Sequence, residues 1–150
     1  MDVFDILAAV GTMASAIFAA YALVQTKKAA DKSLIRERKE ATIKAVNLMQ
    51  NEVFDEMLKY KASDVKKASE DTSSADYKMF STYLARCDHF AIGIEESIYD
   101  YAVLKKLAGG FIWPLYQKFV PLIEKKRAIA HNNTLYKSLE GLAEKLKSEK

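Results

Sequence analysis

Residues 1–28 read MDVFDILAAVGTMASAIFAAYALVQTKK, and this stretch decides how the rest of the chain is interpreted. The run from Ile6 to Val24 contains no charged residue. A helix of that length is about 28 Å long, close to the thickness of the hydrocarbon core of a bilayer. Asp2 and Asp5 precede the run, whereas lysines and arginines follow it. The positive-inside rule therefore predicts a single span, with the N-terminus outside and the remaining chain in the cytoplasm.

Two other interpretations of this stretch stay open. A cleaved signal peptide would carry a basic segment ahead of the apolar run, and here that segment is acidic, although Ala20-Tyr21-Ala22 resembles a cleavage site. A buried core helix of a soluble protein is the second alternative, because 19 uncharged residues are near the lower limit for a span.

The predicted span is rich in small residues. Gly11, Ser15 and Ala19 repeat at a spacing of four, a pattern that lets membrane helices approach closely. Asp5, Thr12 and Ser15 fall within one broad stripe, so an oligomer could turn a polar line toward its axis, and an acidic ring there would favour cations. We therefore predict that these five residues pack the span or line a pore. A plain anchor with incidental small residues is the alternative.

The whole chain has 150 residues, a net charge of +3 and one cysteine. This length suits one modest helical domain in addition to the span. A single cysteine excludes an internal disulfide and fits a reducing cytoplasm. The basic cluster in residues 25–45 is explained by anionic lipid headgroups. Residues 100–150, however, carry ten basic and five acidic side chains, an excess that indicates an anionic ligand.

Helical spacing of apolar residues and the scarcity of Gly and Pro predict an all-α fold, in which an N-terminal transmembrane helix precedes a cytoplasmic helical bundle in an oligomer. Four segments are predicted. They are a transmembrane helix over 1–26, a long juxtamembrane helix over 27–60, a polar loop over 61–76 and a cytoplasmic helical domain over 77–150.

Two stripes of residues at helical spacing predict much of the core. The stripe of the juxtamembrane helix consists of Thr42, Val46, Met49, Val53 and Met57, widened by Leu48, Phe54 and Leu58. The stripe of the next helix consists of Phe80, Leu84, Cys87, Ala91, Ile94 and Ile98. Because Cys87 lies on this apolar face, we expect a buried structural thiol rather than a reactive one.

The ends of the helices are predicted from caps and breakers. Asp76 and Asp100 are expected N-caps. A short helix over 101–107 is expected to end at Gly109-Gly110. The remaining boundaries are expected at Pro114, at Pro121 and near Asn132-Asn133-Thr134.

No catalytic motif is present in the sequence. It lacks a Gly-rich phosphate loop, a nucleophile elbow and the H-E-x-x-H zinc motif. Cys87-x-His89 alone is a weak metal signature, because neither histidine has a further ligand at the usual spacing. We therefore expect a protein that is not an enzyme and that needs no cofactor or metal.

Basic residues interleaved with aromatics form the one constellation that suggests a ligand. Lysine and arginine can pair with phosphates while aromatic rings stack on bases, so the pattern favours single-stranded nucleic acid. Aromatics that belong to the core and lysines that face solvent are the alternative explanation. The predicted ligand-binding residues are Arg86, Lys105, Lys106, Trp113, Tyr116, Lys118, Lys125, Lys126, Arg127, Tyr136 and Lys137.

The block FAIGIEESIYDYAVLKKLAGGFIW, which begins at Phe90, and the later PLIEKKR, which ends at Arg127, carry a family resemblance. They resemble short bacterial proteins with one N-terminal span and a helical cytoplasmic domain of unknown function. This family includes the membrane channel effector of the Hailong anti-phage defence system.

The resemblance implies a tetrameric channel of the bacterial inner membrane that a single-stranded DNA oligomer holds closed in its cytoplasmic part. It also implies a partner nucleotidyltransferase that makes the oligomer. Loss of the DNA would open the pore, depolarise the membrane and halt growth of the infected cell. Two alternatives remain: a single-span adaptor whose helical bundle binds a protein partner without forming a pore, and a toxin-immunity or phage superinfection protein.

Overall fold

The computed structural model of the protein describes the backbone of residues 3–149 and the side chains of residues 18–149. Within that range the chain is helical and contains no strand, which confirms the predicted all-α class. The elements in order are α1 (Val3–Met49), a π-helical turn (Gln50–Phe54), α2 (Asp55–Lys59), α3 (Ala62–Glu70), α4 (Ala75–Glu95), α5 (Tyr101–Ala130) and α6 (Lys137–Ser148). The chain divides into two compact units, Met1–Glu37 and Arg38–Lys150.

The first unit consists of α1 up to Glu37. Every side chain described in it, from Phe18 onward, is exposed. Of the residues predicted to pack the span or line a pore, Ala19 is exposed, whereas the side chains of the others (Asp5, Gly11, Thr12 and Ser15) lie outside the described residues. In the part of the chain that the structure describes, no helix has a stretch long and apolar enough to cross a membrane.

The second unit is built around the stripe predicted for the juxtamembrane helix. Its five members, from Thr42 to Met57, are all buried, which confirms that stripe. The prediction that Leu48, Phe54 and Leu58 widen the buried face is only partly right. Phe54 is buried against Phe111, with ring centroids 5.1 Å apart, whereas Leu48 and Leu58 are exposed. The predicted continuous helix is interrupted by the π-helical turn, a wider coil in which the neighbouring residues Val53 and Phe54 are both buried.

The polar loop predicted over 61–76 is wrong, because most of it is helix α3. The carboxylate of Asp64 accepts a hydrogen bond from the backbone amide of Lys61 at 2.8 Å, which stabilises the first turn. Val65 and Ala68 are buried, and α3 packs against α4 and α5. A short segment needs only a few small apolar side chains to become helical when neighbouring elements supply the rest of the contact.

Helix α4 confirms most of its predicted stripe. Phe80, Leu84, Cys87 and Ala91 are buried and Ile94 is half-buried. Ile98 is 61% exposed, since the helix ends three residues earlier, at Glu95. The N-cap is also two residues earlier than predicted: the hydroxyl of Ser74 accepts a hydrogen bond from the amide of Tyr77, so Asp76 lies inside the first turn.

Helix α5 begins as predicted, since the carboxylate of Asp100 accepts from the amide of Val103 at 2.9 Å. Its predicted end at Gly109-Gly110 is wrong, because the helix continues to Ala130 through Pro114 and Pro121. Neither glycine has a positive φ. Gly109 instead packs against α6, where a Cβ atom at that position would make an ordinary contact with the Leu146 side chain at 3.4 Å. Burial along the whole of α5 outweighs the local cost of its helix breakers.

Helix α6 begins at Lys137, later than the predicted start near residues 132–134. Tyr136 precedes it in the left-handed conformation and supplies no side-chain cap. The cap comes from another element: Asp88 of α4 accepts a hydrogen bond from the amide of Leu139 at 2.9 Å. Because 51 residues separate these partners, local sequence could not indicate this cap.

Candidate nucleic-acid interface

The described interior of the second unit contains a buried cysteine thiol, Cys87, as its candidate reactive group. The Cys87 thiol lies 3.8 Å from the Met57 sulfur, and burial raises its pKa to about 12. A buried thiol of this kind stays protonated and is a poor nucleophile. Among the residues that the structure describes, no group of three or more His, Cys, Asp or Glu side chains could hold a metal ion.

Lys118, one of the predicted ligand-binding residues, points into the fold. Its Nζ donates to the backbone carbonyls of Met57 and Tyr60, at 2.8 and 2.9 Å. It lies 5.7 Å from the ring centroid of Phe119. Partial burial lowers the pKa of this lysine. The side chain thus ties α5 to the end of α2 and stabilises the fold.

Lys126 and Tyr136 are brought together, as part of a packed cluster. The Lys126 ammonium lies 5.6 Å from the ring centroid of Tyr77 and 5.9 Å from that of Tyr136. Burial lowers the pKa of Lys126 and raises that of Tyr136 to about 12. Tyr136 is only 4% exposed, so its ring has no face available for stacking on a base.

Arg127 and Lys137 share one carboxylate, that of Glu140. Arg127 donates to Glu140 at 2.7 Å and to the Leu135 carbonyl at 2.8 Å, and Lys137 lies 3.2 Å from the same carboxylate. The hydrogen bond from Arg127 is the main reason why the pKa of Glu140 is lowered. The ion pair between Arg127 and Glu140 joins the end of α5 to the start of α6.

The other predicted residues are spread over several surfaces. Arg86 of α4 forms an ion pair with Glu52 of the π-helical turn. Lys106 and Lys125 are exposed. The half-buried rings of Trp113 and Tyr116 lie 6.0 Å apart on α5, and Lys105 is exposed on the same helix.

A basic and aromatic surface forms where the start of α5 meets the end of α6. The Lys145 ammonium lies 3.9 Å from the ring centroid of Tyr101, and the Lys147 ammonium lies 4.3 Å from that of Trp113. Together with Lys105, these four residues constitute what we call the C-terminal basic surface. It contains two predicted residues, Lys105 and Trp113, and three that sequence reasoning missed. The only available signal was the pair of lysines two residues apart near the end of an amphipathic helix.

Two open clefts flank this surface. One has a volume of about 420 Å³ and includes Tyr101, Lys137, Ser138 and Lys145 in its lining. The other has a volume of about 170 Å³, and Lys105 is among the residues that line it. The surface can therefore offer cations and a hydroxyl to an anion, and space on either side for the groups attached to it.

The comparisons with known proteins identify the family but no function. No curated protein matches the chain, and no solved structure matches it. A family match covers residues 9–146, which is nearly the whole chain. The protein therefore belongs to the family described as a domain of unknown function, DUF4760.

Proposed function

We propose that the protein is a membrane-embedded oligomeric effector of bacterial anti-phage defence. In this proposal the protein forms a tetrameric ion channel in the inner membrane. The open channel depolarises that membrane. A single-stranded DNA oligomer, made by a partner nucleotidyltransferase, holds the channel closed by binding the cytoplasmic domain. The observation that carries the ligand part of the proposal is the C-terminal basic surface.

The chemistry of that surface supports a single-stranded nucleic acid. Three lysines lie beside two aromatic rings, and the ammonium groups of Lys145 and Lys147 are within 4.3 Å of the ring centroids. Proteins that bind single strands without reading sequence combine cations for the phosphates with rings for the bases. In a symmetric oligomer the surface is repeated around the axis, which increases the positive potential that an anionic strand meets.

The sequence of residues 6–24 supports the pore. Small residues at a spacing of four favour close packing of several copies of the span, and Asp5 at its outer end would attract cations. The resemblance to single-span bacterial proteins points to the same arrangement. A ligand can close such a pore only if it binds the closed assembly more tightly than the open one. Shifting the population from mostly open to mostly closed requires a preference of about 10⁴-fold.

Reconstitution into liposomes tests both parts. We expect purified protein to pass ions, and single-stranded DNA of about 4–16 nucleotides to suppress the flux. Duplex DNA of equal phosphate content is the control, because its bases are not free to stack. A flux indifferent to single strands would remove the ligand from the proposal. Ser15→Leu should obstruct packing of the span, and unchanged oligomer size and flux would contradict the proposed interface.

A single-span adaptor is the second candidate, and exposed apolar side chains favour it. Ile98, Ile129 and Leu107 are 61%, 54% and 49% exposed, so a protein partner could cover them. Replacing residues 1–26 by an unrelated span separates the candidates. An adaptor should keep its function after the exchange, whereas a channel should lose its flux.

A further inference from the structure

The C-terminal basic surface already holds an anion, and that anion belongs to the chain itself. The carboxylate of Glu149 accepts hydrogen bonds from the Tyr101 hydroxyl at 3.0 Å and from the Lys105 ammonium at 2.9 Å. The same ammonium donates to the backbone carbonyl of Glu149 at 3.1 Å. The Lys145 ammonium lies over the Tyr101 ring, 3.9 Å from its centroid, and the hydrogen bond from Lys105 is the main reason why the pKa of Glu149 is lowered.

The position of Glu149 matters because it lies between the two clefts. Tyr101 and Lys145 line the larger cleft, and Lys105 and Glu149 line the smaller one. The smaller cleft also exposes Gly110, where a Cβ atom would meet nothing within 4 Å. A phosphodiester that replaced the carboxylate would therefore have open space for the nucleotide on each side of it.

We propose that Tyr101, Lys105 and Lys145 form a phosphate subsite for single-stranded DNA, and that Glu149 occupies this subsite until a phosphate of the strand displaces it. The inference rests on the proposed function and adds the place of contact and an intramolecular competitor. A phosphodiester has the same single negative charge as the carboxylate, so the exchange conserves charge at the subsite. A phosphodiester also links two nucleotides. When it binds, the neighbouring phosphates and bases of the strand therefore come close to the other lysines and aromatic rings of the surface, whereas the carboxylate of Glu149 makes no such further contacts.

The pair that must break is a weak one. The side chains of Lys105 and Glu149 are 42% and 36% exposed, and ion pairs with that much solvent contact contribute little. Glu149 therefore reduces the apparent affinity for DNA by occupying the subsite for part of the time, without blocking it permanently.

Fluorescence anisotropy of a labelled single strand, with the full-length protein in detergent, tests the inference. We expect Lys105→Gln and Lys145→Gln each to weaken binding by about fivefold to tenfold, as loss of one charged contact does. Glu149→Gln should strengthen binding by about threefold to tenfold, because the neutral amide competes less well for the cations. A structural role alone would not make one variant bind more tightly.

The matched controls are Lys59→Gln and Glu56→Gln. These residues form an exposed lysine–glutamate pair on α2, away from the proposed subsite, so each control changes the net charge as the test variants do. Both controls should bind DNA as the wild type does. The salt dependence gives a second readout, because loss of one phosphate contact to a single strand should reduce the slope of log K against log salt by about 0.7. Lys105→Gln should show this reduction and Lys59→Gln should not.

Three results would overturn the subsite. One is equal DNA affinity of Glu149→Gln and wild type, and another is equal weakening by the test and control lysine variants. Either one leaves the proposed function intact if DNA still suppresses flux. The third is an effect of Lys105→Gln on binding to anionic phospholipid vesicles with none on binding to DNA. If DNA does not bind at all, the proposed function and the DNA subsite fail together, whereas a subsite that fails while DNA still suppresses flux fails alone.

Discussion

Replacing Thr42 by valine should destabilise the second unit more than its conservative appearance suggests. Thr42 is fully buried, and its hydroxyl donates to the Arg38 carbonyl at 2.7 Å. The same oxygen accepts a hydrogen bond from the backbone amide of Asp100, also at 2.7 Å. Asp100 is the N-cap of α5. One hydroxyl therefore joins α1 to the start of the longest helix in this unit.

The loss of folding free energy is estimated from the hydrogen-bonding groups that valine leaves unpaired. Thr42→Val keeps the volume of the side chain but leaves the amide of Asp100 without its acceptor, which costs about 1–3 kcal/mol at a site with little access to water. The Arg38 carbonyl loses less, because a helical carbonyl is also the acceptor for the amide four residues later. Thr42→Ser is the matched variant: it keeps the hydroxyl and removes one buried methyl group, at a cost of roughly 1 kcal/mol.

Urea unfolding of the full-length protein in a mild detergent, followed by tryptophan fluorescence, measures the difference. Trp113 is the single tryptophan of the chain and lies in α5, so the signal reports on the second unit alone. A loss of about 2 kcal/mol should lower the midpoint by about 1 M urea. If Thr42→Val proved as stable as the wild type, or more stable than Thr42→Ser, the hydrogen bond to Asp100 would not be the reason for the buried threonine.

Three further substitutions and one chemical reaction test the packing of the same unit. Gly93→Ala should destabilise the unit by about 1–3 kcal/mol, because the new Cβ atom would lie 2.6 Å from the Tyr99 ring. Gly141→Ala should stabilise it by up to about 1 kcal/mol, because the new Cβ atom would lie in open space. Urea unfolding measures both changes. Asp88→Ala should cost about 1 kcal/mol through loss of the tertiary cap of α6, and unchanged stability would contradict that role. Burial raises the pKa of Cys87 from 9.0 to about 12, so the thiol contributes stability below pH 9 that is lost as the pH rises toward 12. It should react with a thiol reagent at neutral pH only as fast as the unit opens, and reaction at the rate of a free thiol would show that it is accessible.

The sequence predicted the core helices well and their ends poorly. The stripe from Thr42 to Met57 and most of the stripe from Phe80 to Ile94 are on the inside, because a repeat of three to four residues places side chains on one face wherever the helix lies. The ends depend on partners elsewhere in the chain. Helix α5 passes through Gly109-Gly110 because packing against α6 outweighs the local preference of glycine.

The candidate site shows the same division. Sequence reasoning selected Lys105 and Trp113 but also Lys118, whose ammonium is held by backbone carbonyls inside the fold. It could not select Tyr101 or Glu149, because a hydrogen bond between residues 48 positions apart leaves no periodic signal. Residue type alone does not separate a lysine that stabilises a helix end from one that can meet a ligand.

The sequence by itself determined the helical class, the faces of the helices that become buried and the excess of positive charge in the last third of the chain. These properties depend on composition and on spacing within one helix. Only the tertiary structure decided that residues 62–70 are helical, that Asp88 caps α6, and that Tyr101, Lys105 and Glu149 meet on one surface. Those outcomes depend on contacts between elements far apart along the chain, and such contacts form only when the helices have packed.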